Sequence, residues 1–149
     1  MPFAESYANN ILNYIFGKTK TLTAPTDVYL ALSSNDPEAD NGTFTELSGG
    51  GYEREHICTT NGLYPDKMGA PTGRVIANKK QINWNKATAN WPDIKGFALF
   101  SAPTGGTMLY YGKITNAEGK LSINSGAVAL FDPGALKISL SSVDVDMIE

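Results

Sequence analysis

Beyond residue 17, glycine and proline interrupt this chain so often that a long helix has no room to form. The apolar residues between the interruptions fall into short runs, several of them alternating. With 15 Gly and 8 Pro in 149 residues, the punctuation is that of a many-turned β protein, and no βαβ alternation appears. An all-β chain is expected, an antiparallel sandwich or flattened barrel carrying one N-terminal amphipathic helix. The length fits one domain over residues 1–149.

The helix is the exception to the punctuation. Phe3, Tyr7, Ala8, Ile11, Leu12, Ile15 and Phe16 recur at spacings of three and four, which predicts a helix over about residues 3–16 within an N-terminal segment 1–20. Pro2 suits its first turn, Gly17 the position past its end, and Lys18 and Lys20 the negative end of its dipole. So broad a stripe needs a cover, either the domain's own sheet or a neighbouring subunit.

Period two then takes over. Val28, Leu30 and Leu32 alternate with Tyr29, Ala31 and Ser33, and a second strand is expected over Tyr52 to Thr60 with Tyr52, Arg54, His56 and Cys58 on one face. Ser48-Gly49-Gly50-Gly51 supplies the turn or bulge before it. A loop rich in Gly, Pro and Lys is expected over 61–80. Gln81 to Asn85 reads as a strand with Ile82 and Trp84 on one side. The strongest hairpin signal joins 96–100 to 108–114 across Ala102-Pro103-Thr104-Gly105-Gly106. Leu121 to Ile123, Val128 to Phe131, and the alternation of Leu136, Ile138 and Leu140 complete six to eight strands.

The chemistry available is sparse. One cysteine, Cys58, excludes an internal disulfide and a cysteine-built zinc site. His56 is the only histidine, so any nucleophile-and-base arrangement must pass through it. Two positions apart on one strand, His56 and Cys58 would hold their β-carbons about 7 Å from each other, too far for a dyad. Asp36, Glu38, Asp40 and Gly42 superficially resemble a calcium loop, but glycine falls at the seventh place and Leu47 stands where the bidentate glutamate belongs. The glycine run lacks the lysine and the strand-to-helix setting of a phosphate loop. No catalytic residue, cofactor or metal ligand is expected. Trp84, Trp91, Tyr64, Tyr110 and Tyr111 are expected mostly in the core, a sugar-stacking role being the alternative. Asn41-Gly42-Thr43 matches a glycosylation triplet, which carries weight only in a secreted chain.

No run approaches the length of a membrane span and no basic segment precedes an apolar core, so a soluble, unexported chain is expected. The net charge of −3 offers nothing to nucleic acid or to an anionic membrane. It is unevenly distributed, however. Residues 34–60 set six acidic groups against Arg54, a net −5, while residues 61–95 set six basic groups against Asp66 and Asp93, a net +4. Such a dipolar stretch suits loops that fix the register of neighbouring subunits, the alternative being solvated loops of opposite sign.

Four segments carry a resemblance. Thr-Ala-Pro-Thr-Asp-Val-Tyr-Leu-Ala-Leu-Ser-Ser at 23–34, Glu-Leu-Ser-Gly-Gly-Gly-Tyr-Glu-Arg at 46–54, Trp-Pro-Asp-Ile-Lys-Gly-Phe-Ala-Leu-Phe at 91–100 and Gly-Gly-Thr-Met-Leu-Tyr-Tyr-Gly at 105–112 follow the helix in order. Taken together, the chain resembles a family of small tail-fibre-like virion proteins of tailed bacteriophages, departing from it in a longer insert around Asn61 to Lys80. The resemblance implies a non-enzymatic structural role in a tail fibre or baseplate, with synthesis in the host cytoplasm, residence in the virion, and other phage structural proteins as partners. A homotrimer is expected, with Phe3, Tyr7, Ile11 and Ile15 docking the helix and Glu53, Arg54, Lys79 and Lys80 setting charged register. A capsid decoration or head-fibre protein is one alternative. A receptor module for a host surface glycan is another.

Overall fold

A computed structural model describes residues 3–22, 24–59 and 65–139. Helix α1 spans Glu5–Ile15, and eight strands follow among the described residues: β1 Asp27–Ser33, β2 Glu55–Thr59, β3 Val75–Ala77, β4 Ile82–Asn83, β5 Gly96–Phe100, β6 Met108–Lys113, β7 Leu130–Phe131 and β8 Lys137–Ser139. All pairings are antiparallel. They form a four-stranded sheet in the order β2-β1-β5-β6 and two ribbons, β3 with β8 and β4 with β7. The fold is mainly β with one short helix, as the turn density predicts.

Alternation decides what each face of the sheet holds. Leu30 and Leu32 of β1 join Phe97 and Leu99 of β5 on the inner face, where Ile82, Trp84 and Phe131 from the β4–β7 region close the core. Ala31, Ala98 and Phe100 make a smaller cluster on the outer face with Phe44, Met108 and Tyr111. Ala31 and Ala98 sit opposite each other in the β1–β5 register, so the central strands are flanked by small side chains outside and large ones inside.

Each outer strand of this sheet carries a bulge. The β1–β2 register slips between Val28 and Tyr29, which pair with Cys58 and His56 and leave Ile57 as the extra residue. The β5–β6 register slips between Leu99 and Phe100, which pair with Tyr110 and Met108 and leave Leu109 as the extra residue. Consecutive residues therefore turn inward on each strand, Ile57 with Cys58 and Leu109 with Tyr110. This corrects the expectation that Tyr52, Arg54, His56 and Cys58 share a face. Strict period two predicts it, and the inserted residue at Ile57 sends Cys58 to the core side while His56 stays outside, stacked on Tyr29 with ring centroids 4.5 Å apart.

Three further expectations change. The second strand begins at Glu55 instead of Tyr52. Residues 65–80 are more than a loop: Gly73 and Arg74, both at positive φ, make a two-residue turn closed by reciprocal Thr72–Val75 hydrogen bonds, and β3 follows to pair with β8. Residues 121–123 form no strand, Leu121 making only an isolated bridge to Ile94. Residues 60–64, including Tyr64, and Leu140 lie outside the described residues.

Gly96 shows why the central hairpin begins where it does. A β-carbon there would fall inside Pro37 Cδ and stand 2.7 Å from Ser33 Oγ and 2.8 Å from the Asn35 carbonyl oxygen. Only glycine lets the 33–37 segment lie directly on β5.

Candidate assembly surfaces

Helix α1 is anchored at one end and bare at the other. The Ala4 N–H donates to the Leu109 carbonyl on β6, the Phe3 ring meets Tyr110 edge-on at 5.2 Å, and Tyr7 packs against Phe3 and the core. One turn later the contacts stop. Ile11 is half-buried, whereas Leu12, Tyr14, Ile15 and Phe16 are 52%, 49%, 64% and 71% exposed. The chain then reverses at Gly17, at φ 70°, with the Lys18 and Thr19 N–H groups donating to the Asn13 carbonyl. Of the residues expected to dock the helix, Phe3 and Tyr7 are engaged within the chain and Ile15 faces solvent. Leu12 and Phe16, legible in the same helical stripe, join it, Ile15 and Phe16 standing three and four residues beyond Leu12.

Arg54 is the most highly connected polar side chain. Nε donates to Glu46 Oε2 at 2.7 Å and Nη2 to Glu46 Oε1 at 2.8 Å, while Nη1 donates to the Ala102 and Gly105 carbonyls. The guanidinium lies 3.8 Å above the Phe100 ring centroid. Its side chain is 7% exposed, so its charge is spent inside the chain, tying the 102–105 turn to the 46–54 segment. Tyr52 completes the clasp: its hydroxyl donates to Glu46 Oε2 and accepts from the Leu32 N–H. Burial, with the Glu46 carboxylate adding to it, pushes the Tyr52 hydroxyl far above its ordinary range. Glu53 is exposed beside this clasp, lining a cleft of about 450 Å³ with Ser48 and Thr104.

Lys79 and Lys80 stand on the opposite side of the chain's charge asymmetry, both exposed. Lys79 Nζ donates to Asp66 Oδ2 at 2.9 Å, and that bond holds the Asp66 carboxyl below its usual range. That pair lies inside the basic segment; the acidic and basic segments themselves meet where Lys67 Nζ comes 4.0 Å from Glu55 Oε2.

The acidic loop is spent on its own architecture. Asp36 Oδ1 accepts from the Glu38 and Ala39 N–H groups, Asn35 Nδ2 donates to Asp40 Oδ2, and Glu38 Oε2 accepts from the Lys113 N–H on β6. Among the described residues no group of three His, Cys, Asp or Glu side chains is gathered as a metal would need. His56 Nε2 lies 2.9 Å from Asp27 Oδ1, and the bulge holds it across the strand from Cys58, whose thiol burial pushes up. Trp84 and Trp91 are 2% and 6% exposed and Tyr110 is also buried, so none offers a ring face for sugar stacking. No helix among the described residues is long and apolar enough to cross a membrane.

A groove of about 520 Å³ runs between the end of β6 and the β7–β8 turn. Phe97, Leu121, Phe131 and Leu136 form its floor, with Leu130, 42% exposed, beside them and Lys113 and Lys137 at its rim. A second depression shares Lys113 to Asn116 with it and continues to Lys95 and Asp36. The groove was beyond sequence reasoning, since it is built from short segments far apart in the chain. The sequence places Phe97, Leu121, Phe131 and Leu136 in four separate expected strands, and nothing in those runs signals that they meet.

A family model described as Podophage GP4 fiber I protein gp80 matches residues 2–139. No curated protein matches the chain.

Proposed function

The chain belongs to the Podophage GP4 fiber I protein gp80 family of bacteriophage fibre proteins, and from that premise we propose that it acts by position, as a tail-fibre or baseplate-type subunit that self-associates and docks to other virion proteins. The observation that carries this reading is the bare end of α1. Leu12, Ile15 and Phe16 form one exposed apolar stripe on a helix whose other end is fixed to β6. Apolar stripes of this kind mark contact surfaces in soluble proteins. A homotrimer buries three such stripes together around one axis, and closed symmetry limits the assembly to a fixed number of copies.

The experiment is sedimentation of the full chain beside Leu12→Ser/Ile15→Ser/Phe16→Ser, together with incorporation of each into phage particles. A concentration-dependent trimer for the parent, with monomer and loss of incorporation for the variant, is the expected result. A parent that remains monomeric at high concentration and is absent from purified particles overturns the reading.

A further inference from the structure

The cleft of about 450 Å³ beside the Arg54 clasp has no part in the helix-docking reading, and its size is that of a small-molecule site. One wall is the Ser48–Glu53 segment and the other is the Pro103–Gly105 turn. Both walls are braced. Arg54 ties Glu46 to the Ala102 and Gly105 carbonyls, and the Gly50 carbonyl accepts from Trp91 Nε1 at 2.8 Å and from the Thr88 N–H at 2.9 Å. A β-carbon at Gly50 would stand 2.9 Å from the Trp91 ring, so glycine is what lets that wall rest on its anchor. The cleft is therefore preformed, and a ligand entering it has little to order.

Unpaired polar groups line it. The Ser48 and Thr104 hydroxyls and the Glu53 carboxylate are exposed, and none of the three is hydrogen-bonded or ion-paired with a described residue. The N–H groups of Gly49, Thr104 and Gly105 likewise donate to no described residue. A β-carbon at Gly49 or Gly105 would meet nothing within 4 Å, so the backbone there is open to close approach. Glu46 and Arg54 neutralise each other, which leaves Glu53 as the one uncompensated charge in the lining.

These groups discriminate among ligands. An anion is repelled by Glu53, and a lone ammonium or guanidinium leaves the N–H donors unmatched. A hydroxyl both donates and accepts, so several on one ring satisfy the carboxylate and the N–H groups together. Pro103 and the half-buried Tyr52 offer apolar surface to the C–H side of such a ring, with no need of the stacking that the burial of Trp84, Trp91 and Tyr110 rules out. The cleft also lies apart from the last described residue: Arg54 rests on Phe100 on the outer face of the sheet, whereas Ser139 meets Tyr110 on the inner face.

We propose that this cleft binds a neutral saccharide unit, whose hydroxyls donate to the Glu53 carboxylate and accept from the Ser48 and Thr104 hydroxyls and from the Gly49 and Gly105 N–H groups. The site shares no residue with the α1 stripe, so it stands or falls separately from self-association.

The test is amide chemical-shift mapping of the isotope-labelled full-length chain with the methyl glycosides of glucose, galactose, rhamnose and N-acetylglucosamine at millimolar concentrations. At least one glycoside should shift the Gly49, Glu53, Thr104 and Gly105 amides to saturation. Glu53→Gln should weaken that binding about tenfold and Thr104→Val about threefold, each with the parental melting temperature. Absence of a saturable shift at these amides with every glycoside, or undiminished binding by Glu53→Gln, overturns the inference. So does tighter binding of N-acetylarginine amide than of any glycoside at the same amides, which makes the cleft a seat for a basic side chain of another protein. A parent that proves monomeric removes the trimer and leaves this binding in place.

Discussion

Arg54 and Glu46 meet through two parallel hydrogen bonds, and together they hold a turn and a segment that are separated by about fifty residues of chain, with Arg54 Nη1 reaching the Gly105 carbonyl across 51 positions. Removing the arginine leaves a carboxylate facing two orphaned carbonyls. Arg54→Leu should cost about 2–3 kcal/mol, below the range for a fully buried pair because Glu46 is 29% exposed. Arg54→Lys should recover little, since an ammonium cannot span both oxygens and both carbonyls. Urea denaturation of the three proteins measures this.

Tyr52→Phe isolates the other half of the clasp. The hydroxyl is the acceptor for the Leu32 N–H, in a strand whose neighbouring side chains are fully buried, so its loss should cost about 1–3 kcal/mol. Thermal unfolding should show the loss, with no change in oligomeric mass.

Gly96→Ala should be among the most damaging single changes in the chain. The added methyl has nowhere to go except into Pro37 and Ser33, and the backbone of β5 is held on both sides by β1 and β6. About 3 kcal/mol of destabilisation is expected from overpacking. A soluble variant with the parental melting temperature would show that the 33–37 segment moves freely.

Acid sensitivity follows from two exposed carboxylates. Lys120 and Ser122 hold Asp93, and Lys79 holds Asp66, below the ordinary value of 3.8. A carboxyl depressed in the folded state contributes stability above its unfolded value, and this contribution is lost as pH falls through the folded value. The Asp66→Asn/Asp93→Asn chain should therefore lose less stability than the parent as pH falls from 5 to 2. Glu55 works in the opposite sense: burial raises its carboxyl above 4.5, so its penalty is felt as pH rises through that range. Denaturation midpoints across a pH series separate the two signs.

Phe3→Ala should release α1 from the sheet. The ring contributes an edge-on contact with buried Tyr110 and supports Tyr7, worth about 2 kcal/mol together. Amide exchange in residues 5–15 should accelerate well before that in β1 and β5.

Much of this architecture is legible from periodicity. The alternation of Val28, Leu30 and Leu32, the hairpin across residues 102–106 and the shared burial of Ile82 and Trp84 all follow from local pattern. Two kinds of feature are not. A bulge is one residue inserted into a pattern, and nothing in the Glu55–Thr59 sequence marks Ile57 as the insertion, so the faces of His56 and Cys58 come out reversed relative to each other. A side chain's partner at long range is equally silent in sequence: Arg54 reads as a surface charge and is a buried tie because Glu46, Phe100 and Gly105 converge on it only after folding. The helix stripe is intermediate. Its apolar residues are plain in the sequence, but which of them the sheet covers depends on where Ala4 meets Leu109.

Both borders of the four-stranded sheet are occupied by the chain itself. Asp66 bridges to Cys58 and the Lys67 N–H donates to the Ile57 carbonyl along β2, while Phe3, Ala4 and the Glu38 carboxylate cover β6. Backbone growth from either side is blocked. A strand from another molecule therefore finds no free template along this sheet where those segments lie, which protects the largest sheet among the described residues from the edge-to-edge stacking that begins a fibril.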